Sequence, residues 1–308
     1  GVFANFPLGL AAGLGLNAVV AYSIASLPGV TWADAMGLVV IEGLIILLLV
    51  LTGFREAVFR AVPVELKTAI SVGIGLFIAL IGLVNAGFVT AGSGTLLALG
   101  DLGTWPILVF VVGLVLTIVL WVRKVPGAIL IAIVTATALS IVIERVLHLG
   151  AFAPAGADGP GNPGGWAMNV PAVSEFPVQL PDFSTLLTVD PISGITAAGA
   201  VGASVIVFSL LLADFFDTMG TMVGVAAGAD LVDEQGDIPH SQRILVVDSA
   251  AAIAGGMGGV SSNTSFVEST SGVAEGARTG LAAVVVGVLF LLSTLLSPLV
   301  GMVPYEAA

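Results

Sequence analysis

The sequence predicts an all-helical protein that crosses a membrane several times. Of its 308 residues, 57% are hydrophobic and only 9% are charged, whereas soluble domains are about 25% charged. The mean hydropathy is +1.15. Long apolar runs recur along the chain, and each approaches the roughly 20 residues that a helix needs to cross a bilayer. Because the runs are continuous rather than alternating, they favour helices over the strands of a membrane β-barrel.

Seven apolar runs are predicted as membrane spans. In chain order they are Ala35–Leu51, Ala69–Val89, Pro106–Val122, Ala128–Ile143, Ile195–Leu212, Ile244–Met257 and Leu281–Val303. Three tryptophans, Trp32, Trp105 and Trp121, lie at span edges, where interfacial aromatic side chains are enriched. The region from about 150 to 193 contains many Gly, Pro and Ala residues, which predicts an irregular loop between the fourth and fifth spans.

The basic residues predict which loops face the cytoplasm. If successive spans alternate in direction, only Arg145 falls on one side and the other seven basic residues share the opposite side. Those seven are Arg55, Arg60, Lys67, Arg123, Lys124, Arg243 and Arg278. Since cytoplasmic loops carry an excess of Lys and Arg, we expect this shared side to be cytoplasmic. The region 149–193, which lacks both residue types, is then extracellular.

Two segments interrupt the helical pattern, Phe6–Ile24 and Gly255–Val273. Each has a cluster of glycines followed by polar residues, which predicts extended backbone running into a short half-helix. Non-helical backbone at membrane depth is tolerated only where protein or a polar cavity satisfies it. A pair of such segments in corresponding halves indicates a transporter binding site. Two kinked helices that pack through small residues are the alternative.

Five carboxylates lie deep inside apolar runs, and no Lys or Arg is expected beside them. They are Glu42, Asp214, Asp217, Asp248 and Glu268. An ionisable group at membrane depth costs roughly 2.5–3.5 kcal/mol on insertion scales, so each is a functional candidate. An unpaired acid must be protonated, bind a cation or face a polar ligand, and all three favour transport. For Glu42 and Asp248, each alone in its span, a structural hydrogen bond is an equal alternative.

Three of these acids belong to polar constellations. Asp214 and Asp217 are three residues apart and therefore share a helix face, which Thr218 extends with a hydroxyl. Hydroxyl and amide side chains surround Glu268 at a predicted half-helix start, where free backbone N–H groups favour a polar ligand. Asn17 follows the first glycine cluster and offers both donors and an acceptor.

Composition excludes several classes of function. The chain has no cysteine, which excludes disulfides, thiol catalysis and cysteine-ligated metals. It has only two histidines, so we expect no metal site and no cofactor. The net charge of −12 argues against nucleic-acid binding.

Four motifs, taken together and in order, resemble the AzgA-like purine permeases, which are related to the uracil and xanthine nucleobase–cation symporters. They are Gly13–Ala18, Ile70–Phe77, Asp214–Thr221 and Glu268–Gly280. The resemblance covers nearly the whole chain, and Glu42 and Asp248 also stand where the family has acids. It implies fourteen membrane segments in two inverted repeats of seven, with short strands and half-helices at segments three and ten.

The resemblance also implies a division of the chain. Residues 1–148 would hold segments three to seven of the first repeat, and residues 149–193 an extracellular loop. Residues 194–308 would hold segments eight to eleven of the second repeat. We therefore expect a partial chain, trimmed at both ends.

By resemblance, the substrate-contacting positions are Asn17, Asp214 and Glu268, and Asp217 is a further functional acid. The neighbouring candidates for substrate binding are Gly15, Thr264 and Phe266. Carboxylates accept hydrogen bonds from the N1–H and amine of guanine, and such charge-assisted bonds are strong. Adenine needs a donor, which Asn17 or a protonated acid supplies. Phe266 either stacks on the purine or simply packs.

The predicted function is import of purine nucleobases across the cell membrane, coupled to H⁺. Burial disfavours the charged form of a carboxyl group, so Asp214, Asp217 or Glu268 can hold the proton, with Thr218 beside them. Glu42 and Asp248 are secondary candidates. Na⁺ coupling stays open because the Ser/Thr cluster can ligate sodium. The sequence does not determine the oligomeric state, but related carriers are often dimers, so a homodimer is a candidate assembly.

Other functions stay open at this point. A carrier of uracil, xanthine or another small solute could share the fold. An intramembrane hydrolase could use Asp214 and Asp217, although two acids three residues apart on one helix do not face each other. A passive structural membrane protein would leave the buried acids without a purpose.

Overall fold

The computed structural model describes residues 1–92, 94–153, 161–173, 178–232 and 238–308, and within these ranges the chain is mainly helical. The helices are α1 (Leu14–Ala18), α2 (Trp32–Leu51), α3 (Phe54–Ala61), α4 (Val64–Asn85), α5 (Trp105–Val122), α6 (Ala128–Leu147), α7 (Pro191–Ala198), α8 (Ala200–Gly228), α9 (Ser241–Met257), α10 (Ser269–Ala274), α11 (Gly280–Leu295) and α12 (Ser297–Val300). The short strands are β1 (Leu10–Ala12), β2 (Val89–Thr90), β3 (Ala98–Leu99) and β4 (Asn263–Ser265). A π-helical turn (Val19–Ile24) continues α1.

Among the described residues, five helical segments are long and apolar enough to cross a membrane. They are Trp32–Leu51, Thr68–Asn85, Trp105–Val122, Ala128–Leu147 and Ala200–Gly228. The shorter apolar helices are Gly15–Ile24 and Gly280–Leu295. The prediction of a helical protein with several membrane spans is therefore confirmed, and most predicted spans match a helix to within a few residues.

Two of the predicted spans are not single continuous helices. The predicted span Ile195–Leu212 is divided at Gly199, which has a positive φ of 72° between α7 and α8, and α8 then continues to Gly228. The predicted span Leu281–Val303 ends at Leu295, and the short helix α12 begins after Leu296. Pro298 lies in the first turn of α12, where its missing N–H removes no helical hydrogen bond.

The chain divides into two compact units. The first comprises Gly1–Ile74 and Asp182–Phe290, and the second comprises Gly75–Pro181 and Leu291–Ala308. All five candidate acids lie in the first unit.

Within the first unit, the two interrupted segments pair with each other. Strands β1 and β4 are antiparallel, with Ala11 opposite Thr264. The amide of Gly13 donates to the carbonyl of Ser262 at 3.2 Å, and the amide of Phe266 donates to Gly9 at 2.9 Å. This pairing gives hydrogen-bond partners to backbone N–H and C=O groups that lie outside a helix. Such groups need partners in the protein because the membrane interior holds no water to supply them. The predicted strand and half-helix segments are confirmed.

The extent of those extended segments differs from the prediction. Gly255 and Gly256 belong to the last turn of α9 rather than to extended backbone. Gly15 and Asn17 likewise lie inside α1. Within Phe6–Ile24 and Gly255–Val273, the residues in strands are Leu10–Ala12 and Asn263–Ser265.

Small residues let α2 approach its neighbours closely. A Cβ added at Gly43 would lie 2.8 Å from the backbone nitrogen of Ile253 in α9, and one added at Gly256 would lie 3.2 Å from the carbonyl of Met36. Thr31 begins α2 with a reciprocal cap, in which its amide donates to Asp34 at 2.8 Å and its hydroxyl accepts from the Asp34 amide. The helix α2 is therefore held tightly at the centre of the unit.

The second unit holds α5, α6 and part of the predicted loop 149–193. Trp166 is fully buried and its indole N–H donates to Glu144 of α6 at 2.8 Å. The amide of Ala167 donates to Glu306 at 2.8 Å. Residues 154–160 and 174–177 of the predicted loop lie outside the described part, and α7 begins at Pro191, just before the predicted end of the loop at Ser193.

Candidate functional site

Helix α8 supplies the acid pair that the sequence indicates. Asp214 and Thr218 are fully buried, whereas Asp217 is partly exposed. The three side chains share a helix face because they are three and four residues apart. This spacing lets one helix contribute to both a buried group of charges and a more accessible one.

Arg55 corrects the expectation that the buried acids have no basic neighbour. Its side chain is only 3% exposed, and its Nη2 lies 3.2 Å from Asp214 Oδ2 and 3.1 Å from Asp248 Oδ2. Its Nη1 donates to the hydroxyl of Ser249 at 3.2 Å. Arg55, Asp214 and Asp248 are called the ionic cluster below.

The sequence predicts a charged loop around Arg55, but this residue belongs to the short helix α3. Gly53 adopts a positive φ of 75° after α2, and the chain then begins a new helix at Phe54. This places Arg55 in the first turn of α3, and its side chain enters the protein interior. The run Gly-Phe-Arg directly after an apolar span was the available signal, but a loop arginine has the same pattern. The side chains of Arg60 and Lys67 lie outside the described part of the structure.

Asp248 is the best-satisfied acid of the ionic cluster. Besides Arg55, it accepts from the hydroxyl of Thr218 at 2.9 Å and from the hydroxyl of Ser265 at 2.9 Å. These donors come from α3, α8 and β4, so one carboxylate on α9 joins three other elements. Three donors, one of them a guanidinium, suit an ionised carboxylate.

A second polar group surrounds the paired strands. The hydroxyl of Thr264 in β4 donates to Asp217 Oδ2 at 2.9 Å. The hydroxyl of Ser261 donates to the amide oxygen of Asn17 at 2.6 Å. Glu268 precedes α10 and lies within electrostatic range of Asp217. Asn17, Asp217, Thr264 and Glu268 are called the polar rim below.

Glu268 and Asn17 are both exposed, unlike the ionic cluster. Glu268 directly precedes α10, as the predicted half-helix start requires, but its side chain is exposed rather than buried. The polar rim can accept and donate hydrogen bonds to an incoming ligand, since it combines carboxylates, an amide and hydroxyls.

Glu42 lies in the middle of α2 and is fully buried. Among the described residues, neither of its carboxylate oxygens has a hydrogen-bond partner. It lies within electrostatic range of Arg55 and Asp248 and beside the hydroxyl of Ser262. Glu42 therefore adjoins the ionic cluster without being bonded to it.

The remaining candidates are placed as follows. Gly15 lies in α1 next to Asn17. The ring of Phe266 lies 6.4 Å from that of Phe290 in α11, which favours the packing explanation over stacking on a ligand. Across the described ranges, no group of three or more His, Asp and Glu side chains is arranged to hold a metal ion.

Comparison with known proteins decides the family. The Permease family model matches residues 1–307. The chain belongs to this family. Its membership favours a transporter over an enzyme.

Several relatives carry the names of nucleobase permeases. The adenine permease AdeQ of Escherichia coli (strain K12) is 36% identical, over 99% of this chain and 62% of the relative. The guanine/hypoxanthine permease PbuG of Bacillus subtilis (strain 168) is 36% identical, over 98% of this chain and 63% of the relative. PbuO, another guanine/hypoxanthine permease of Bacillus subtilis (strain 168), is 38% identical, over 97% of this chain and 64% of the relative. The chain thus spans somewhat under two thirds of their length, and the resemblance to purine permeases is confirmed.

A solved structure supports the fold. The transmembrane domain of a cyanobacterium bicarbonate transporter, BicA, aligns with a TM-score of 0.55 and 16% identity, over 94% of this chain and 69% of that one. At this identity the likeness concerns the fold alone. The arrangement of two inverted seven-segment repeats stays a prediction.

Proposed function

We propose that this protein forms part of a secondary active transporter that carries purine nucleobases across the cell membrane together with H⁺. The observation that carries the proposal is the polar rim beside the paired strands β1 and β4, in a chain whose relatives are named adenine and guanine/hypoxanthine permeases. Paired interrupted segments are the usual place of a transporter binding site.

The chemistry of the rim suits a purine edge. Guanine and hypoxanthine present an N1–H donor, and guanine adds an exocyclic amine. Asp217 and Glu268 offer carboxylate acceptors for these donors, and charge-assisted hydrogen bonds are the stronger class. The amide of Asn17 offers a donor to ring nitrogens, as adenine requires. Asp214 lies one helical turn from Asp217 and is fully buried. In this proposal it therefore belongs to the ionic cluster and influences the polar rim from there.

The proposal includes a topology and an assembly. Residues 1–148 and 194–308 would belong to two inverted repeats of seven segments, and residues 149–193 would form an extracellular loop. The loops that contain Lys67, Arg123, Lys124, Arg243 and Arg278 would face the cytoplasm. Arg55 no longer supports this topology, because its side chain is buried. A homodimer in the plasma membrane is the proposed assembly.

Uptake by the full-length protein in proteoliposomes tests this proposal. Radiolabelled hypoxanthine, guanine, adenine and uracil are compared with an imposed pH gradient, with an uncoupler, and with Na⁺ replaced by choline. We expect uptake of at least one purine, little uptake of uracil, and loss of accumulation with the uncoupler. Uptake of uracil alone, or dependence on Na⁺ instead of the pH gradient, would contradict the proposed substrate or ion.

Replacing Glu268 with Gln tests the role of the rim. We expect this change to abolish purine-stimulated proton uptake, because a neutral amide cannot replace the carboxylate acceptor. The matched control is Glu65→Gln, which neutralises an exposed acid in the first turn of α4. Wild-type uptake by the Glu268→Gln variant would refute this assignment.

A further inference from the structure

The starting observation is the isolation of Glu42 inside a crowded group of charges. Its side chain has no exposure, and both carboxylate oxygens lack a hydrogen-bond partner among the residues that the structure describes. An ionised carboxylate buried without donors is strongly unfavourable, and it becomes tolerable when it binds a proton. The hydroxyl of Ser262, which itself has no partner in the described ranges, adjoins Glu42, but a lone hydroxyl does not compensate an ionised carboxylate, so Glu42 is suited to binding a proton.

Among the described residues, the charged groups that act on Glu42 come from three of the helices packed on α2. Arg55 comes from α3, Asp248 from α9 and Asp214 from α8, and the hydroxyl of Ser262 adjoins Glu42 from the segment before β4. The fourth helix packed on α2 is α7, and it has no ionisable side chain. Glu42 and the ionic cluster thus contain three carboxyl groups and one guanidinium.

The single guanidinium is already engaged. Its terminal nitrogens contact Asp214, Asp248 and Ser249, while its Nε has no partner within the described ranges. Asp248 is held by three donors and balances the charge of Arg55. The carboxyl groups of Glu42 and Asp214 then remain without a balancing charge. Binding of one proton or cation would neutralise one of them.

We propose that Glu42 binds the coupling proton, at a site separate from the acids that face the nucleobase. This inference rests on the proposed function and specifies which group performs the coupling. In the loaded state Glu42 is a neutral carboxylic acid. On release, its O–H bond breaks, the proton passes to water on the receiving side, and Glu42 becomes a carboxylate.

Arg55 is the positioning residue that links proton release to the nucleobase. A newly charged Glu42 competes with Asp214 for the guanidinium, and the unpaired Nε gives Arg55 a donor to offer. Asp214 lies one helical turn from Asp217 and within electrostatic range of it. Any loss of positive charge beside Asp214 therefore changes the field at the polar rim, where the nucleobase is proposed to bind.

The test separates coupling from transport in full-length protein reconstituted in proteoliposomes. Two activities are measured, nucleobase exchange at equal pH and accumulation driven by a pH gradient. For Glu42→Gln, which mimics the protonated acid, we expect exchange within about twofold of wild type, complete loss of gradient-driven accumulation, and an uptake rate that no longer varies between about pH 5 and pH 8. Glu65→Gln is the control and should retain both activities.

Other outcomes are decisive as well. Accumulation by Glu42→Gln with the wild-type pH profile would overturn the inference. Loss of Na⁺-driven, rather than proton-driven, accumulation would overturn the choice of ion. Absence of nucleobase exchange by the wild-type protein would instead contradict the proposed function, so the two failures are distinguishable.

A measurement on the unmodified protein covers the case in which Glu42→Gln does not fold. Dicyclohexylcarbodiimide reacts with protonated carboxyl groups in apolar surroundings, and peptide mass spectrometry locates the adduct. We expect an adduct at Glu42 that forms at low pH and declines at high pH, in parallel with loss of accumulation. Loss of accumulation with adducts only at Asp217 or Glu268 would overturn the inference.

Discussion

Arg55 Nη2 lies 3.1 Å from Asp248 Oδ2, although the two residues are 193 positions apart in the chain. This contact joins the short helix α3 to α9, and the same nitrogen also contacts Asp214 of α8. A buried charge pair of this kind contributes little net stability when it is complete, but removal of one partner is costly. The contact therefore makes the integrity of the first unit depend on one arginine.

The first prediction concerns Arg55→Gln. The change leaves Asp214 and Asp248 buried without their cation, so we expect a loss of roughly 3–5 kcal/mol in the free energy of unfolding. The thermal unfolding midpoint of the full-length protein in detergent measures the effect. Arg123→Gln removes an exposed arginine at the end of α5 and should leave the midpoint nearly unchanged. Equal midpoints for the two variants would show that the ionic cluster is not structural.

The second prediction concerns the hydroxyl that Thr264 donates to Asp217. Thr264→Val keeps the shape of the side chain but removes this donor, at a cost of about 1 kcal/mol, so we expect nucleobase affinity to change several-fold. Thr264→Ser restores the hydroxyl and should restore affinity. Binding is measured by isothermal titration or by the nucleobase-dependent shift of the unfolding midpoint. An affinity unchanged in Thr264→Val would remove Asp217 from the binding site.

The third prediction concerns the close approach of α2 and α9. Gly43→Ala places a Cβ 2.8 Å from the backbone nitrogen of Ile253, so one helix must move and we expect a loss of about 1–3 kcal/mol in stability. Gly73→Ala in α4 is the matched control because its added Cβ meets nothing within 4 Å. Alanine there should be neutral or stabilising, since glycine is the poorer helix former. If Gly43→Ala unfolded no earlier than Gly73→Ala, the two helices would not be in tight contact.

The fourth prediction concerns the second unit. Trp166→Phe retains the buried ring but leaves Glu144 without its indole donor, so we expect a loss of about 1.5–3 kcal/mol in stability. Trp121→Phe, at the exposed end of α5, serves as the control and should change stability by less than about 0.5 kcal/mol. Limited proteolysis near residue 166 offers a second measurement, with faster cleavage expected in Trp166→Phe. An unchanged cleavage rate would indicate that the indole contact does not hold this segment.

Much of the fold was predictable because the constraints on a membrane span are local. The runs Ala35–Leu51 and Pro106–Val122 appear as α2 and α5 with only small changes at their ends. Continuity was less predictable, because Gly199 is compatible with either a helix or a break. The structure shows the break as a positive φ of 72° at Gly199, and the apolar composition on both sides concealed it.

The candidate site was predictable in its residue types but not in its arrangement. Asp214 and Asp217 share a helix face by spacing alone, yet the structure gives them different partners. Asp214 contacts Arg55, whereas Asp217 accepts from Thr264. Glu268 was expected at a half-helix start deep in an apolar run; it does precede α10, but its side chain is exposed.

The amino-acid sequence by itself determined that this is a polytopic helical protein with costly acids in apolar surroundings, since hydropathy and charge act residue by residue. Only the tertiary structure decided that β1 pairs with β4, that Arg55 compensates Asp214 and Asp248, and that no described residue makes a hydrogen bond to the Glu42 carboxylate within the usual distance. Those facts depend on contacts between residues far apart in the chain. Such contacts are fixed by the need to satisfy buried polar groups collectively, which no single segment of the sequence expresses.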